Sequence, residues 1–320
     1  MHTRKVQVSV IGAASSIGSN VCLLLKQNPK VAKLKLYDSD PKVKGIAREL
    51  NQLPLGPSAV GFTGDDELSA AITLSSLILM LSRVSSPPTT PTQEVLNANA
   101  PFVQKLCKAM SERNPDAFLC VATSPINAML PFTSAMLYKY RSYNPFRVFG
   151  VTNDDVTRTK SLAADLLQAT PRHLSIPVIG GHSKDTIIPL FSNMMPEFYV
   201  LDGREADVLT RLIRRAETDV FMTKGGSEYD SLAVAWAINE FVEKLIDALW
   251  GQQVEVHSYT ANPHFGTRFF SGPSTVGPYG IVRTSSNFPM SDLECDLLSE
   301  AMPILNKDIS MGEELSRMYV

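Results

Sequence analysis

The sequence predicts an α/β fold: a doubly wound parallel sheet followed by a second domain with longer helices and shorter strand-like runs. Its first half alternates short β-branched runs with amphipathic helical patterns, the order that gives right-handed crossovers between parallel strands. The strand candidates lie at residues 6–11, 34–37, 75–81 and 117–122. Near Gly150 the alternation gives way to longer helical patterns, so we predict two domains, 1–150 and 151–320.

The helices are predicted from the spacing of apolar residues. Ile17, Val21, Leu24 and Leu25 fall on one face of a helix that Pro29 ends. The same criteria predict helices at 94–113, 131–140 and 155–168, a helical tract at 205–249, short strand-like runs at 253–259 and 279–284, and a polar helix from residue 291 to the end.

The stretch 83–92 contains three prolines and no regular periodicity, which predicts a loop. It follows the strand candidate at 75–81, where an α/β protein can place a mobile loop over a ligand. A plain surface connection explains the same composition, and both interpretations stay open at this point.

Composition excludes several classes of function. The chain has 320 residues with 30 Lys+Arg against 32 Asp+Glu, so it lacks the basic excess that binding to nucleic acid requires. Its four cysteines form no CxxC pair and have no metal-ligand spacing with histidine, so we expect neither disulfides nor a metal site. No apolar run reaches the roughly 18 residues that span a membrane. We expect a cytoplasmic protein without a membrane or nucleic-acid partner.

A glycine-rich turn follows the first strand and opens the first helix. This arrangement places backbone N–H groups and the positive end of a helix dipole against a pyrophosphate, which predicts a dinucleotide site. Ser15 stands where the backbone usually approaches the phosphate closely, so we expect its side chain either to hydrogen-bond the phosphate or to crowd it. The candidate cofactor-binding residues of the turn are Gly12, Ala13, Ser15, Ile17 and Gly18.

An acidic residue supports the same prediction. Asp38 ends the second strand candidate, 20 residues after Gly18. A carboxylate there accepts hydrogen bonds from the adenosine ribose hydroxyls and repels a 2′-phosphate. The sequence therefore favours NAD over NADP as the cofactor.

The second half contains residue types suited to acid–base chemistry. Asp155 and Arg158 lie three apart at the start of a predicted helix, so they share a helical face. His182 follows a buried-looking strand and two glycines. A histidine paired with a carboxylate serves as a proton shuttle, and an arginine holds a substrate carboxylate. Taken singly, each residue also fits a structural role, and spacing alone does not show that they meet.

The ordered segments VSVIGAASSIG, LKLYD, VLNANAP, SPINAMLPF, FGVTNDDVTR and IPVIGGHSKDTIIPL resemble those of NAD-dependent malate dehydrogenases of the mitochondrial and bacterial type, within the lactate/malate dehydrogenase superfamily. The resemblance spans essentially the whole chain. It implies a Rossmann domain, an α+β catalytic domain and a homodimer. It also implies that His182 exchanges the substrate proton, Asp155 orients His182, Arg158 holds the C1 carboxylate of a 2-hydroxy or 2-oxo acid, and Asn99 lies in the NAD site.

The chain departs from this family in the loop at 83–92. The family has two arginines there, which bind the distal carboxylate of oxaloacetate and polarise the reacting carbonyl. Alignment backward from residues 97–100 places Ser86 and Thr92 at those positions, and Arg83 at a glycine position near the cofactor. Arg83 substitutes poorly for the missing arginines, because the geometry of a guanidinium fork is specific to its position.

Other departures surround the same predicted pocket. Ser124 replaces a family asparagine that contacts the substrate, and Asp154 replaces a leucine before the catalytic aspartate. The family's wall of small residues reads Ser227-Glu228-Tyr229-Asp230-Ser231 here, which makes it bulkier and more acidic. Because these substitutions affect three walls of the predicted pocket, they favour an altered or lost function over neutral sequence drift in a single tolerant loop.

Two hypotheses remain. The first is a malate dehydrogenase-like oxidoreductase that transfers hydride between NAD and a 2-hydroxy acid. It would turn over oxaloacetate and malate poorly, and a 2-oxo monocarboxylate with a neutral or aromatic side chain would suit it better. The alternative is a catalytically impaired NAD-binding or interaction protein of the same fold. A short-chain reductase is excluded, because the sequence lacks a Tyr-x-x-x-Lys pair where that chemistry needs it.

Overall fold

The structure, a computed structural model, describes residues 6–82, 84, 86–226 and 231–319. In chain order the strands are β1 (Val6–Ile11), β2 (Val31–Asp38), β3 (Ser58–Thr63), β4 (Leu77–Met80), β5 (Phe118–Val121), β6 (Val148–Val151), β7 (Val178–Gly180), β8 (Ile187–Pro189), β9 (Val254–Ala261), β10 (Phe269–Gly277) and β11 (Gly280–Thr284). The helices are α1 (Ser16–Leu25), α2 (Lys42–Leu50), α3 (Asp65–Ile72), α4 (Thr92–Arg113), α5 (Ile126–Lys139), α6 (Asn153–Leu167), α7 (Gly203–Thr223), α8 (Ser231–Leu249) and α9 (Asp292–Arg317).

These strands pair into one continuous sheet in the order β3-β2-β1-β4-β5-β6-β9-β10-β7-β8, with β11 on β10. The segment from β3 to β6 is parallel throughout. It confirms the predicted doubly wound α/β fold. The strand order reverses between β1 and β4, and ligands of such sheets bind at the carboxyl ends of the strands beside this reversal.

The sheet is buried between two layers of helices. Apolar residues of α3, α4, α5 and α9 form a core against one face, and those of α1, α2 and α8 form a core against the other. All residues of β4, β5 and β6 are buried, as expected for parallel strands covered on both faces. A third cluster joins α6 and α7 to β7 and β8. These layers hold the strand ends that carry the candidate site.

The direction of pairing changes where β6 meets β9, which run antiparallel. This change lies close to the predicted domain boundary at residue 150, although the sheet itself continues without a break. The division into domains 1–150 and 151–320 therefore stays a prediction. Within the described ranges, no helix combines the length and the apolar character needed to cross a membrane.

Most predicted elements are present, but one is wrong and several elements were missed. The four strand candidates of the first half correspond to β1, β2, β4 and β5. The helical tract predicted at 205–249 is wrong as a single element: it consists of α7 and α8, and residues 224–226 form a turn after α7. Strands β3, β6, β8 and β10 and helices α2 and α3 were not predicted. The Gly and Pro residues inside β10 mask its strand pattern, and β3 is an edge strand that is only partly buried.

Candidate active site

The glycine turn after β1 is tight enough to require glycine at two positions. Gly12 has φ +93°, and a Cβ there would lie 2.5 Å from the backbone nitrogen of Ser82. A Cβ on Gly18 would lie 2.1 Å from the carbonyl oxygen of Gly12. Helix α1 begins at Ser16, so the N–H groups of its first turn have no intrahelical acceptor. The turn and the helix N-terminus fit a pyrophosphate, as the sequence predicted for an NAD site.

From the sequence we expected Ser15 either to hydrogen-bond a phosphate or to crowd it, but in the structure its side chain has a different role. It is the N-cap of α1: its hydroxyl donates to the carbonyl oxygen of Gly12 (2.8 Å) and accepts from the N–H of Gly18 (3.0 Å). Both bonds keep the side chain within the turn. Ser15 thus stabilises the start of the helix and the loop that precedes it.

Asp38 lies at the rim of the same turn. One carboxylate oxygen accepts a hydrogen bond from the N–H of Ala14 (2.9 Å), and the other accepts from the N–H of Asp40 (3.1 Å). These bonds fix the carboxylate at the end of β2 and beside the turn. Each oxygen keeps a further lone pair, so the geometry is compatible with the predicted contact to ribose hydroxyls.

Asp155 and His182, which are 27 residues apart in the chain, meet at the carboxyl end of the sheet. Helix α6 begins directly after β6 and places Asp155 in its first turn, whereas His182 follows β7. The Nδ1–H of His182 donates to Oδ2 of Asp155 at 2.7 Å. The Asp155 side chain is only 1 % exposed. With Nδ1 bound in this way, Nε2 is the ring nitrogen left for a substrate.

The electrostatics of this pair favour a charged imidazole. Burial alone would lower the pKa of His182, but the carboxylates of Asp155 and Asp154, helped by Glu217, outweigh it and raise the pKa to about 10. Burial raises the pKa of the Asp155 carboxyl, and the positive charges of His182 and Arg158 oppose that shift. The histidine is therefore suited to donate a proton to a bound ligand at neutral pH.

Arg158 lies one helical turn after Asp155 on the same face of α6. Its Nη1 is 3.7 Å from Oδ1 of Asp155, and its Nη2 is 3.7 Å from Oδ2 of Asp154. The side chain also lines the cavity beside His182. A guanidinium in this position can bind a carboxylate through two parallel hydrogen bonds.

The backbone that carries His182 is anchored by a buried polar network. Asn127, at the start of α5, accepts a hydrogen bond from the N–H of His182 (2.7 Å) and donates to Oδ2 of Asp308 in α9 (3.1 Å). A Cβ on Gly181 would lie 2.6 Å from both Oδ1 of Asn127 and Oγ1 of Thr186, so this packing requires glycine. Asn127 lies in the segment SPINAMLPF, which resembles the family, but no sequence pattern predicted that its side chain would anchor the backbone of His182.

A cavity of about 300 Å³ brings the predicted substrate residues together. Its lining includes Ser86, Thr92, Asn99, Ser124, Arg158 and His182. A smaller cavity of about 50 Å³ adjoins it and shares Ser124, Arg158 and His182, while Ile17, Leu81 and Ala122 line its apolar side. The charged lining residues that the sequence did not predict are Lys184, Asp185, Arg214, Glu217 and Asp308. They lie on the loop after His182, on α7 and on α9, where their spacing in the sequence is typical of ordinary surface residues.

Asn99 joins three segments around this cavity. Its side-chain oxygen accepts from the N–H of Val84 (2.7 Å), and its amide nitrogen donates to the carbonyl oxygens of Ser124 (3.0 Å) and Val95 (3.1 Å). It thereby ties α4 to the loop after β4 and to the end of β5. That Asn99 also contacts NAD stays a prediction.

Two predicted departures lie outside the described residues. One is Arg83 in the loop after β4. The other is the acidic wall, of which Ser227, Glu228, Tyr229 and Asp230 are not described, while Ser231 is buried at the start of α8.

Asp154, Asp155 and His182 each bring one potential metal-ligand atom to within 4.8 Å of the others. However, Nδ1 of His182 and Oδ2 of Asp155 are already bound to each other. We therefore interpret the group as an acid–base cluster.

Comparison with known proteins agrees with this geometry. Residues 6–150 match the family model for the lactate/malate dehydrogenase NAD binding domain, and residues 152–316 match the model for the lactate/malate dehydrogenase alpha/beta C-terminal domain. The chain is 34% identical to the malate dehydrogenase of Edwardsiella ictaluri over 311 residues, which cover 97% of this chain and 99% of that protein. It is 32% identical to the mitochondrial malate dehydrogenase of Sus scrofa over 309 residues (96% and 91%).

Solved structures show the same fold. Malate dehydrogenase from Cryptosporidium parvum superposes with a TM-score of 0.83 at 18% identity, covering 97% of this chain and 99% of that chain. Lactate dehydrogenase from the same organism, complexed with lactic acid and NAD, gives a TM-score of 0.83 at 18% identity, with 98% of each chain covered. The chain therefore belongs to the lactate/malate dehydrogenase family of NAD-dependent 2-hydroxy-acid oxidoreductases.

Proposed function

We propose that this protein reduces a 2-oxo acid, and oxidises the corresponding 2-hydroxy acid, at the His182–Asp155 pair, and that it turns over oxaloacetate and malate poorly. The observation that carries the proposal is the 2.7 Å hydrogen bond between His182 and Asp155 beside a cavity that Arg158 also lines. The pair supplies acid–base catalysis and the arginine supplies recognition of the C1 carboxylate. These are the two functions that the chemistry demands of the protein.

Each side chain has one task in this mechanism. The glycine turn, Asp38 and the start of α1 would hold the nicotinamide cofactor, which when bound would supply the hydride as NADH or accept it as NAD. Nε2 of His182 gives a proton to the carbonyl oxygen during reduction and takes it back from the hydroxyl during oxidation. Asp155 keeps the proton on Nδ1 and stabilises the imidazolium. Arg158 fixes the acid so that its reacting carbon faces the cofactor.

The expected weakness toward oxaloacetate rests on Ser86 and Thr92. Both line the cavity, and neither has the positive charge that the family places at these positions. A charge-assisted hydrogen bond contributes about 1.5–3 kcal/mol. A group that stabilises charge developing in the transition state contributes about 2.7–4 kcal/mol, or 10²–10³ in rate. We therefore propose a 2-oxo monocarboxylate with a neutral or aromatic side chain as the better substrate.

A second candidate function is an NAD-binding or interaction protein with impaired catalysis. The observation that favours it is Asp154, whose Oδ2 lies 3.7 Å from Nη2 of Arg158. This carboxylate competes with a substrate for the arginine. Retention of the His182–Asp155 geometry favours the enzyme.

One experiment separates the two candidates. Purified protein is titrated with NADH by fluorescence and then tested for NADH oxidation with oxaloacetate, pyruvate and phenylpyruvate. The enzyme is expected to bind NADH and to oxidise it with at least one monocarboxylate. His182→Asn should keep NADH binding and lose 10²–10⁴ in turnover, the range for a general acid–base. Binding without turnover would support the second candidate as an NAD-binding protein, and absence of binding would contradict the enzyme.

We also propose that the protein is a homodimer. Leu23 on α1, Leu166 on α6, and Leu232 and Trp236 on α8 are each at least 45 % exposed, and these three helices pack beside one another. Exposed apolar side chains on adjoining helices are typical of a subunit interface.

A further inference from the structure

Asp154 is a second carboxylate at the catalytic histidine. Its Oδ1 lies 3.8 Å from Nδ1 of His182, next to the 2.7 Å bond that Asp155 makes to the same nitrogen. Its side chain is 13 % exposed and lines the smaller cavity beside His182. The family pattern implies a leucine at this position, so the family mechanism does not account for this charge.

The surroundings of His182 make this second charge effective. An opposite charge within about 4–6 Å shifts a pKa by about 1–3 units, and low solvent exposure strengthens the interaction. Asp154 meets both conditions, and it is one of the groups that raise the pKa of His182 to about 10. Among the described residues, the charged groups that line the two cavities beside the histidine are Asp154, Asp155 and Arg158 on α6, Lys184 and Asp185 on its own loop, Arg214 and Glu217 on α7, and Asp308 on α9.

The protonation state of His182 decides which substrate the free site accepts. A 2-oxo acid needs an N–H donor on Nε2, which the imidazolium supplies. A 2-hydroxy acid needs a lone pair on Nε2, which only the neutral ring supplies. In reduction the carbonyl carbon gains the hydride from NADH and the oxygen gains the proton of Nε2, which leaves a neutral histidine that solvent protonates again. Any group that favours the imidazolium before binding therefore favours binding of the 2-oxo acid to the free site.

We propose that Asp154 is a positioning residue that keeps His182 protonated in the free site, so that at neutral pH this site binds 2-oxo acids in preference to 2-hydroxy acids. The proposal rests on the function proposed above. Its sign follows from the charge: His182 is protonated below its own pKa, so oxidation rises as the pH increases toward that value and then reaches a plateau. Removal of the Asp154 charge moves this rise to lower pH.

The direct test does not require turnover. The ring C–H resonances of the five histidines are followed by NMR as the pH is changed, and the His182 resonance is assigned by its absence in His182→Asn. In Asp154→Asn the titration midpoint of His182 should fall by about 1–3 pH units. Asp165→Asn removes the same charge from an exposed site of the same helix and should leave the midpoint unchanged. An unchanged midpoint in Asp154→Asn would overturn the proposal.

A kinetic arm tests the consequence for the pH dependence of activity. The pH profile of kcat/KM is recorded for oxidation of phenyllactate with NAD and for reduction of phenylpyruvate with NADH. In Asp154→Asn the rise of oxidation and the fall of reduction should both move to lower pH by the same interval as the titration midpoint, and Asp154→Leu should behave alike if the asparagine variant folds poorly. A midpoint that moves without any shift in either profile would overturn the link between this charge and substrate binding. A shifted midpoint with no turnover of any 2-oxo acid would contradict the proposed function and leave the charge coupling intact.

Discussion

In the proposed function Arg158 binds the carboxylate that all 2-oxo acids share, whereas Ser86 and Thr92 are proposed to face the part that differs between substrates. All three residues line one cavity. The hydroxyl groups of these two residues can donate hydrogen bonds to a distal carboxylate but carry no positive charge. Their hydrogen bonds therefore compensate only part of the free energy that desolvation of the carboxylate costs. We therefore propose that the choice of substrate depends on these two side chains, one in the loop after β4 and one in the first turn of α4.

Restoring both arginines should restore oxaloacetate as a substrate. We expect Ser86→Arg combined with Thr92→Arg to raise kcat/KM for oxaloacetate by 10²-fold or more, because a clamp and a charge-stabilising group return together. Steady-state NADH oxidation measures the change. The matched control carries lysine at both positions, which adds the charge without the bidentate fork and should recover much less. An arginine variant no better than wild type would mean that other walls limit oxaloacetate.

At the level of single residues, the sequence singled out three residues that the structure places together, but it did not predict all their contacts. Asp155, Arg158 and His182 were recognised by their motifs, and the structure brings them together although spacing alone could not. Glu217 and Arg214 escaped prediction because they lie on a helix whose charges look like an ordinary solvated face. The role of Ser15 as an N-cap depends on the path of the turn, which composition does not reveal.

Among the elements, the loop from β7 to β8 is the one on which the position of His182 depends. Gly181 leaves room for Asn127, whose side chain holds the backbone of His182 and contacts α9 through Asp308. The histidine is thus fixed by helices that are distant in sequence. A change in this loop alters the geometry of the acid–base pair without touching either member.

Gly181→Ala should therefore damage both stability and activity. The new Cβ would lie 2.6 Å from Oδ1 of Asn127, which must move and release the N–H of His182. Leaving this buried group unpaired costs about 1–3 kcal/mol, and a displacement of about 1 Å in a reacting group costs about 10² in rate. Denaturant unfolding and NADH oxidation measure the two effects. Gly203→Ala, where a Cβ meets no atom within 4 Å, should leave both unchanged. Equal effects at the two positions would contradict this explanation.

The elements that the sequence predicted well are those with a single dominant pattern. Buried parallel strands such as β4 and β5 are continuous apolar runs, so they were recognised within two residues at each end. Strand β10 was missed because Gly272 and Pro273 interrupt it, although its pairing with β9 tolerates both. The break between α7 and α8 was missed because apolar residues continue at helical spacing on both sides of the glycines at 225 and 226.

At the scale of the whole molecule, both helical layers contribute to one site. The dinucleotide turn belongs to β1 and α1, the acid–base pair to α6 and the loop after β7, and the anchoring network to α5 and α9. One continuous sheet joins these parts. This arrangement leaves the outer faces of α1, α6 and α8 to contact another molecule.

We expect a dimer that depends on these faces. Light scattering after size-exclusion chromatography should give about twice the chain mass of 35.1 kDa. Trp236→Glu, which places a charge on an apolar face, should shift the protein toward monomer, because burial of an unpaired charge opposes association. Tyr279→Glu, at an exposed position in the turn between β10 and β11, serves as the control. A wild-type protein that elutes as a monomer at micromolar concentration would contradict the dimer.

The most direct measurement is the ratio of kcat/KM for phenylpyruvate to kcat/KM for oxaloacetate, obtained at pH 7 with saturating NADH on the same preparation. The charges that line the cavity predict measurable turnover of the monocarboxylate and a ratio above one. Loss of both activities in His182→Asn would assign that turnover to the acid–base pair. Efficient turnover of oxaloacetate, with a ratio well below one, would contradict the claim that Ser86 and Thr92 leave a dicarboxylate without its clamp.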